Sequence, residues 1–310
     1  MNEGTIKRLV AVLAVAVIAW GALAGVGHLR ADKETRFSLP RVDSAAVDTI
    51  VIARHGDSAT LARNVHRWTM NGHPADSSHV HDLLAGLVDS TQWGELVAQS
   101  PSSYARLGVD ADSGRRVRIV AHGKPPVDFT SGKRTTDWSG LYVRRGSDSA
   151  VYALHSSLLG EALTRGADDW RDKRIARVTP ESVGSADVQR GAHSVALRKN
   201  GGKWSLGSGF ADSAAVARTL ELYQSFDATG FATDAQADSV RKAKPFARVK
   251  LRAKSGAALL DVTFDSSAAG AWVRADSGGP VYKIDSYQLA QLAPPESTFK
   301  RRKPAAKPKK

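Results

Sequence analysis

The feature that most constrains the fold is an internal repeat. Residues 47–88 align with residues 183–224 at a constant offset of 136. Val47 meets Val183, Leu61 meets Leu197, Trp68 meets Trp204, and Ala75-Asp76-Ser77 meets Ala211-Asp212-Ser213. Val80 and Leu84 then meet Val216 and Leu220. Further on, the register continues at an offset of 130: Gly140 meets Gly270, Val143-Arg144 meets Val273-Arg274, and Val151-Tyr152 meets Val281-Tyr282. Ser156 and Leu159 meet Ser286 and Leu289. Matches kept in order over this length make the body two versions of one supersecondary unit.

Each unit reads as mixed α+β. Thr49–Ala53 and Ala59–Arg63 alternate as short strands around Gly56-Asp57, and Val195–Lys199 and Lys203–Leu206 flank the hairpin signal Asn200-Gly201. Asp76-Ser77 is a helix start, and Val80, Leu83, Leu84 and Leu87 follow at helical spacing. The second copy repeats this with Asp212-Ser213, then Val216, Leu220 and Tyr223. Four strands follow the helix, at 116–120, 127–130, 141–145 and 150–154, or at 248–252, 259–264, 271–274 and 281–284. Gly123, Gly146 and Gly278-Gly279 supply hairpin turns, and a short helix closes each unit. The expected fold is α+β: two tandem homologous units of antiparallel strands with one main helix each, preceded by one transmembrane helix.

That transmembrane helix is expected at residues 9–27, LVAVLAVAVIAWGALAGVG, behind Lys7 and Arg8. As a helix the run rises roughly 28 Å, about one hydrocarbon thickness. A retained anchor is the preferred reading; Ala22-Leu23-Ala24 keeps a cleaved signal open. The preceding positive charges place residues 1–8 in the cytoplasm and the body outside it. The location is then an inner membrane, crossed once, with the body periplasmic or otherwise extracytoplasmic. The segments are residues 28–45 as linker, 46–165 as unit 1, 166–180 as a polar connector, 181–294 as unit 2, and 295–310 as a disordered basic tail.

The tail carries much of the charge. Lys+Arg exceed Asp+Glu by 13, and Lys300, Arg301, Arg302, Lys303, Lys307, Lys309 and Lys310 hold seven of those positive charges with no acid among them. It is expected to be either an electrostatic tether to anionic lipid or cell-wall polymer, or a solubilising extension. The body does not interleave aromatics with basic residues, so no specific nucleic-acid partner is expected.

The order of motifs resembles the bacterial family known as domain of unknown function 4340. The resemblance is carried by the Trp68 and Trp204 strand ends, the Ala-Asp-Ser helix starts and the Tyr104…Leu107-Gly108-Val109 step. It continues through the Gly-x-x-Val-Arg strands at Gly140 and Gly270, the Val-Tyr strands and the charged run at 169–174. The second copy has Lys244-Pro245-Phe246 in place of the Leu-Gly-Val step. On these residues each unit is identified as one copy. The resemblance implies an exported or membrane-anchored protein without known enzymatic activity. It further implies an auxiliary part of an ABC-type transport system related to gliding-motility exporters, with a permease and an ATPase as partners.

No catalytic pattern competes with that reading. The chain has no cysteine, which excludes thiol nucleophiles and cysteine-ligated metals. His73, His79, His81 and Asp82 are the densest candidate metal ligands, but helix positions two apart diverge by about 200°. Their counterparts are Gly209, Ala215 and Ala217, and exposed helix histidines are the expectation. No Gly-x-Ser-x-Gly, Walker or dinucleotide pattern occurs, and the eleven Asp-Ser pairs read as turn and cap chemistry. Asp168-Asp169 lies in a charged connector, where a solvated pair is expected. Trp68 and Trp204 are expected to pack against the following helix, and Arg144 and Arg274 to form a shared structural ion pair. No catalytic, cofactor or metal site is assigned. A second function remains open, an extracytoplasmic binding protein or hydrolase acting on an envelope glycan.

Overall fold

The computed structural model describes residues 17, 18, 20, 21, 37–65, 67–146, 148–267, 270–275 and 278–301. The chain divides into two units, 1–172 and 173–310. The apolar run at 9–27 lies outside the described residues except at 17, 18, 20 and 21. Among the described residues no helix is long and apolar enough to cross a membrane.

In unit 1, strands β1 (Val47–Arg54), β2 (Asp57–Asn64), β3 (Arg67–Met70) and β4 (His73–Pro74) form a meander. Helix α1 (Ser77–Val88) and strand β5 (Trp93–Ala98) follow, then the single turn α2 (Tyr104–Leu107). Strands β6 (Arg115–Ala121), β7 (Val127–Arg134), β8 (Gly140–Arg145) and β9 (Val151–His155) complete one nine-stranded sheet, and the closing helix α3 (Ser157–Ala162) follows. Its order is β4-β3-β2-β1-β6-β7-β8-β9-β5. The pairing of β1 with β6 leaves β5 to close the far edge, against β9. Alternation along β1 turns Ile50 and Ile52 inward, where they meet Leu61, Ile119, Leu83 and Leu87 in one core.

Unit 2 builds the same sheet. Strands β11 (Val183–Arg190), β12 (His193–Asn200), β13 (Lys203–Leu206) and β14 (Gly209–Phe210), then β17 (Ala247–Ala253), β18 (Ala258–Ser267), β19 (Gly270–Ala275) and β20 (Tyr282–Ile284), are edged by β16 (Gly230–Phe231). The order is β14-β13-β12-β11-β17-β18-β19-β20-β16, strand for strand that of unit 1. A separate two-stranded ribbon joins β10 (Arg174–Ala176) to β15 (Phe226–Asp227). The helix starts hold as expected: Asp76 Oδ1 accepts the N–H groups of Ser78 and His79, and Asp212 Oδ1 those of Ala214 and Ala215.

Three expectations need correction. Unit 2 has two nine-residue helices rather than one main helix, α4 (Ser213–Glu221) and α5 (Asp234–Lys242). α5 packs Ala237 and Val240 on Trp272 and Val281, on the sheet face opposite the core. Second, residues 166–172 are not a free connector: Ala167–Trp170 forms a 3-10 turn whose Trp170 is fully buried in the unit 1 core. Third, the ordered part of unit 2 runs past 294. Glu296–Phe299 forms the matching turn, with Phe299 fully buried.

Candidate functional site

The sequence-level candidates scatter. Among the described residues no group of three or more His, Cys, Asp or Glu side chains could hold a metal ion. His79 is half-buried rather than exposed: its Nδ1–H donates to the Asp169 carbonyl at 2.8 Å, with the ring edge-on to Trp170. Asp82 faces Arg165 at 3.9 Å, while His73 and His81 point to solvent. Asp169 is used locally, its Oδ2 accepting the Gly166 N–H at 3.2 Å.

Trp204 is buried in the unit 2 core, and half-buried Trp68 packs on that of unit 1. Arg144 and Arg274 do not share an ion pair. Arg274 meets Asp265 at 3.5 Å, a charge pairing longer than a good hydrogen bond. Arg144 stacks over Tyr104 at 4.8 Å and donates to the carbonyls of Val109 and Gly146. The Leu-Gly-Val step supplies Val109 in unit 1 and is absent from unit 2, where Asp265 meets the arginine instead. Burial pushes the Asp265 carboxyl above the usual range, against the opposing pull of Arg274.

In the tail, Lys300 pairs with Glu296 at 3.2 Å and bridges Ala211, and Arg301 lies 5.9 Å over the Phe210 ring. Both belong to the closing segment of unit 2. Arg302, Lys303, Lys307, Lys309 and Lys310 lie outside the described residues.

One cluster escaped the sequence reading. Ser139 Oγ lies 2.9 Å from His155 Nδ1, and His155 Nε2 lies 3.7 Å from Glu95. Exposed Trp93 stacks on His155, and exposed Trp138 carries φ 62°. These are the residue types of a hydrolytic triad. Yet Ser139 Oγ also donates to Asp137 Oδ1 at 2.9 Å, closing a turn as Ser78 does on Asp76 and Thr91 on Asp89. The Thr135 and Ser139 hydroxyls hold the Asp137 carboxyl down at about 2. The hydroxyl therefore serves the turn first.

Among the described residues, a groove on unit 1 and a recess of similar size on unit 2 lie at non-equivalent places. In unit 1 a groove of about 820 Å³ runs under the segment leading into β1, beside the β6–β7 hairpin. Leu39, Ile119, Pro126 and Phe129 make its apolar wall. Arg41, Lys124 and Arg145 stand exposed at its rim. In unit 2 a recess of about 830 Å³ lies between Val195, Phe246, Pro295 and Lys300. The matching place in unit 1, beside Ala59, is packed down to about 10 Å³ by Arg115, Arg165 and Trp170. There Arg115 donates to the carbonyls of Leu163 and Thr164, both at 2.9 Å. The cavities were invisible in the sequence because loops set them, and loops are where the two units differ most.

Fold and surface together define a duplicated antiparallel α+β protein whose two units share a scaffold and differ in their cavities. The chain belongs to the family described as domain of unknown function 4340, whose family model matches residues 68–245. The match is one span from Trp68 in unit 1 to Pro245 in unit 2. It does not support reading each unit as a separate copy of the family. No curated protein and no solved structure matches the chain.

Proposed function

We propose that the protein is a non-enzymatic accessory protein, held at the inner membrane by its amino-terminal apolar segment with both units on the extracytoplasmic side. It works by binding. The observation that carries this reading is the contrast between the units: one nine-strand order is used twice, while the cavities sit at non-equivalent places. A duplicated scaffold that keeps its sheet and varies its loops is free to present two different surfaces. On this reading the partners are the permease and ATPase of an ABC-type exporter.

The test is crosslinking of the full chain in native membranes, followed by capture and identification of attached proteins. The expected result is a permease with its ATPase, and loss of that adduct with Arg190→Glu and Lys300→Glu at the unit 2 recess. Recovery of glycan without a membrane partner would overturn the proposal and favour the envelope-glycan reading. That second reading draws on the exposed Trp93 and Trp138 beside Ser139 and His155. Exposed aromatic faces flanking polar groups suit a sugar ring.

A further inference from the structure

The groove of unit 1 has a charge imbalance that unit 2 resolves internally. Arg41 lies six residues before Val47, where β1 begins, and Arg177 lies six residues before Val183, where β11 begins. In unit 2 the guanidinium of Arg177 donates to both Asp227 oxygens, at 2.7 and 3.0 Å. In unit 1 Arg41 has no ionic partner among the described residues, and neither does Lys124 across the groove. Arg145 lies 5.6 Å over the Phe37 ring. The groove also holds two acids: Asp128 faces Arg118 at 3.4 Å, while Asp43 Oδ1 accepts only the Ala45 N–H at 2.9 Å and keeps its charge. Three cations and two carboxylates thus rim an apolar wall, an excess of one positive charge before Asp128 is set against Arg118.

We infer that this groove binds an anionic phospholipid, its phosphate between Arg41, Lys124 and Arg145 and an acyl chain along exposed Pro126 and half-buried Val42 and Val127, above the buried Leu39, Ile119 and Phe129. A phosphate accepts hydrogen bonds from arginine in a fork and takes lysine as a point charge. An apolar wall beside that site rewards a ligand that carries hydrocarbon as well as charge. Nine residues lie between Gly27, the end of the apolar run, and Phe37, and the ten steps that join them span at most about 35 Å. A chain anchored there holds the groove within reach of a headgroup layer. That last step rests on the membrane-anchored reading; the charge and wall chemistry do not.

The test incubates the full chain with a photoactivatable dioctanoyl phosphatidylglycerol, which reaches the groove whether or not the chain is anchored. Adducts are mapped by mass spectrometry. Adducts within 39–43, 124–129 and 145–146 are expected. They should fall roughly fivefold in Arg41→Gln or Lys124→Gln, and more in the double variant. Gly146→Trp should block labelling; a Cβ there meets no atom within 4 Å, and an unchanged urea midpoint checks that the fold holds the ring. Equal labelling by the matching phosphatidylcholine, displacement by glycerol phosphate alone, or protection by an acidic peptide would each overturn the inference. Vesicle flotation of the same preparation reads anchoring separately. A chain that floats without groove adducts sinks the groove alone; one that is labelled but does not float sinks only the anchor.

Discussion

The backbone N–H of Asp76 donates to the carbonyl oxygen of Trp170 at 2.8 Å, and Asp212 repeats this bond with Phe299 at the same distance. In each unit the residue that caps the main helix is also tied to the last buried aromatic of the chain segment. The carboxy-terminal end of each unit is tied to the start of its main helix by one geometry, although tryptophan stands in one copy and phenylalanine in the other.

Phe299 is therefore expected to be a structural end of unit 2. It is fully buried, and Phe299→Ala removes a core aromatic at a cost of about 3–5 kcal/mol. Trp170→Ala should do the same to unit 1. Removing residues 302–310 should shift stability by less than about 0.5 kcal/mol, as for ordinary surface changes. Urea unfolding followed by hydrogen exchange in each unit reads both. A Phe299→Ala variant that unfolds like wild type would place the end of the unit before 295.

His79 is expected to act as a local clasp. His79→Ala loses the hydrogen bond to the Asp169 carbonyl, at a cost of about 1 kcal/mol. Solvent-facing His81→Ala should be nearly silent. Urea midpoints distinguish them. Added zinc should leave the wild-type midpoint unmoved, and a zinc-dependent rise lost with His79 would revive the metal reading.

These cases show what the sequence could carry. Strands and hairpins were legible because alternation and the shared offset fall on core residues such as Ile50, Leu61, Val188 and Leu197, which the sheet must bury. The ends were not, because Trp170 and Phe299 sit in charged stretches with little apolar pattern around them. Edge strand β5 and helix α5 were missed for a related reason. Trp93–Ala98 is an edge with half its side chains exposed, and α5 buries only Ala237 and Val240. Asp227, the partner of Arg177, lies in a two-residue strand set by tertiary pairing alone. The groove cations were legible as residues but not as unpaired ones.

Asp265 sets a pH dependence in unit 2. Its side chain is 4% exposed, and burial raises the folded-state value above the usual 3.8. Between those two values the folded unit binds more protons than the unfolded chain, so stability falls as pH rises through that window. Above that window the ionised carboxylate carries the full penalty despite Arg274. Asp265→Asn should therefore be at least as stable as wild type at pH 7, with any advantage fading below about pH 4. Urea midpoints for β18 and β19 across pH 4 to 7 test this. A clear loss of stability at pH 7 would show that the pairing outweighs desolvation.

Gly140 and Gly270 occupy equivalent places in the repeat, yet the structure requires glycine at each for a different reason. At Gly140 a Cβ would overlap the carbonyl oxygen of Leu154 on the paired strand β9. The obstacle is backbone, which cannot rotate away. Gly160 of the closing helix also approaches Gly140 closely: a Cβ on Gly160 would lie 3.0 Å from the Gly140 carbonyl oxygen. At Gly270 the nearest atom to a Cβ is 3.7 Å away on the Trp272 ring, an ordinary contact. There the constraint is φ, which is 140°. A side chain in that region is strained by about 1–3 kcal/mol. Gly140→Ala must move β8 off β9, costing about 3 kcal/mol or more, with loss of exchange protection through β8, β9 and the closing helix. Gly270→Ala should cost less and loosen only the β18–β19 turn. Hydrogen exchange on the two variants separates the causes. Equal and local effects at both sites would mean that β8 and β9 yield to the added methyl and that glycine at 140 is not set by strand contact.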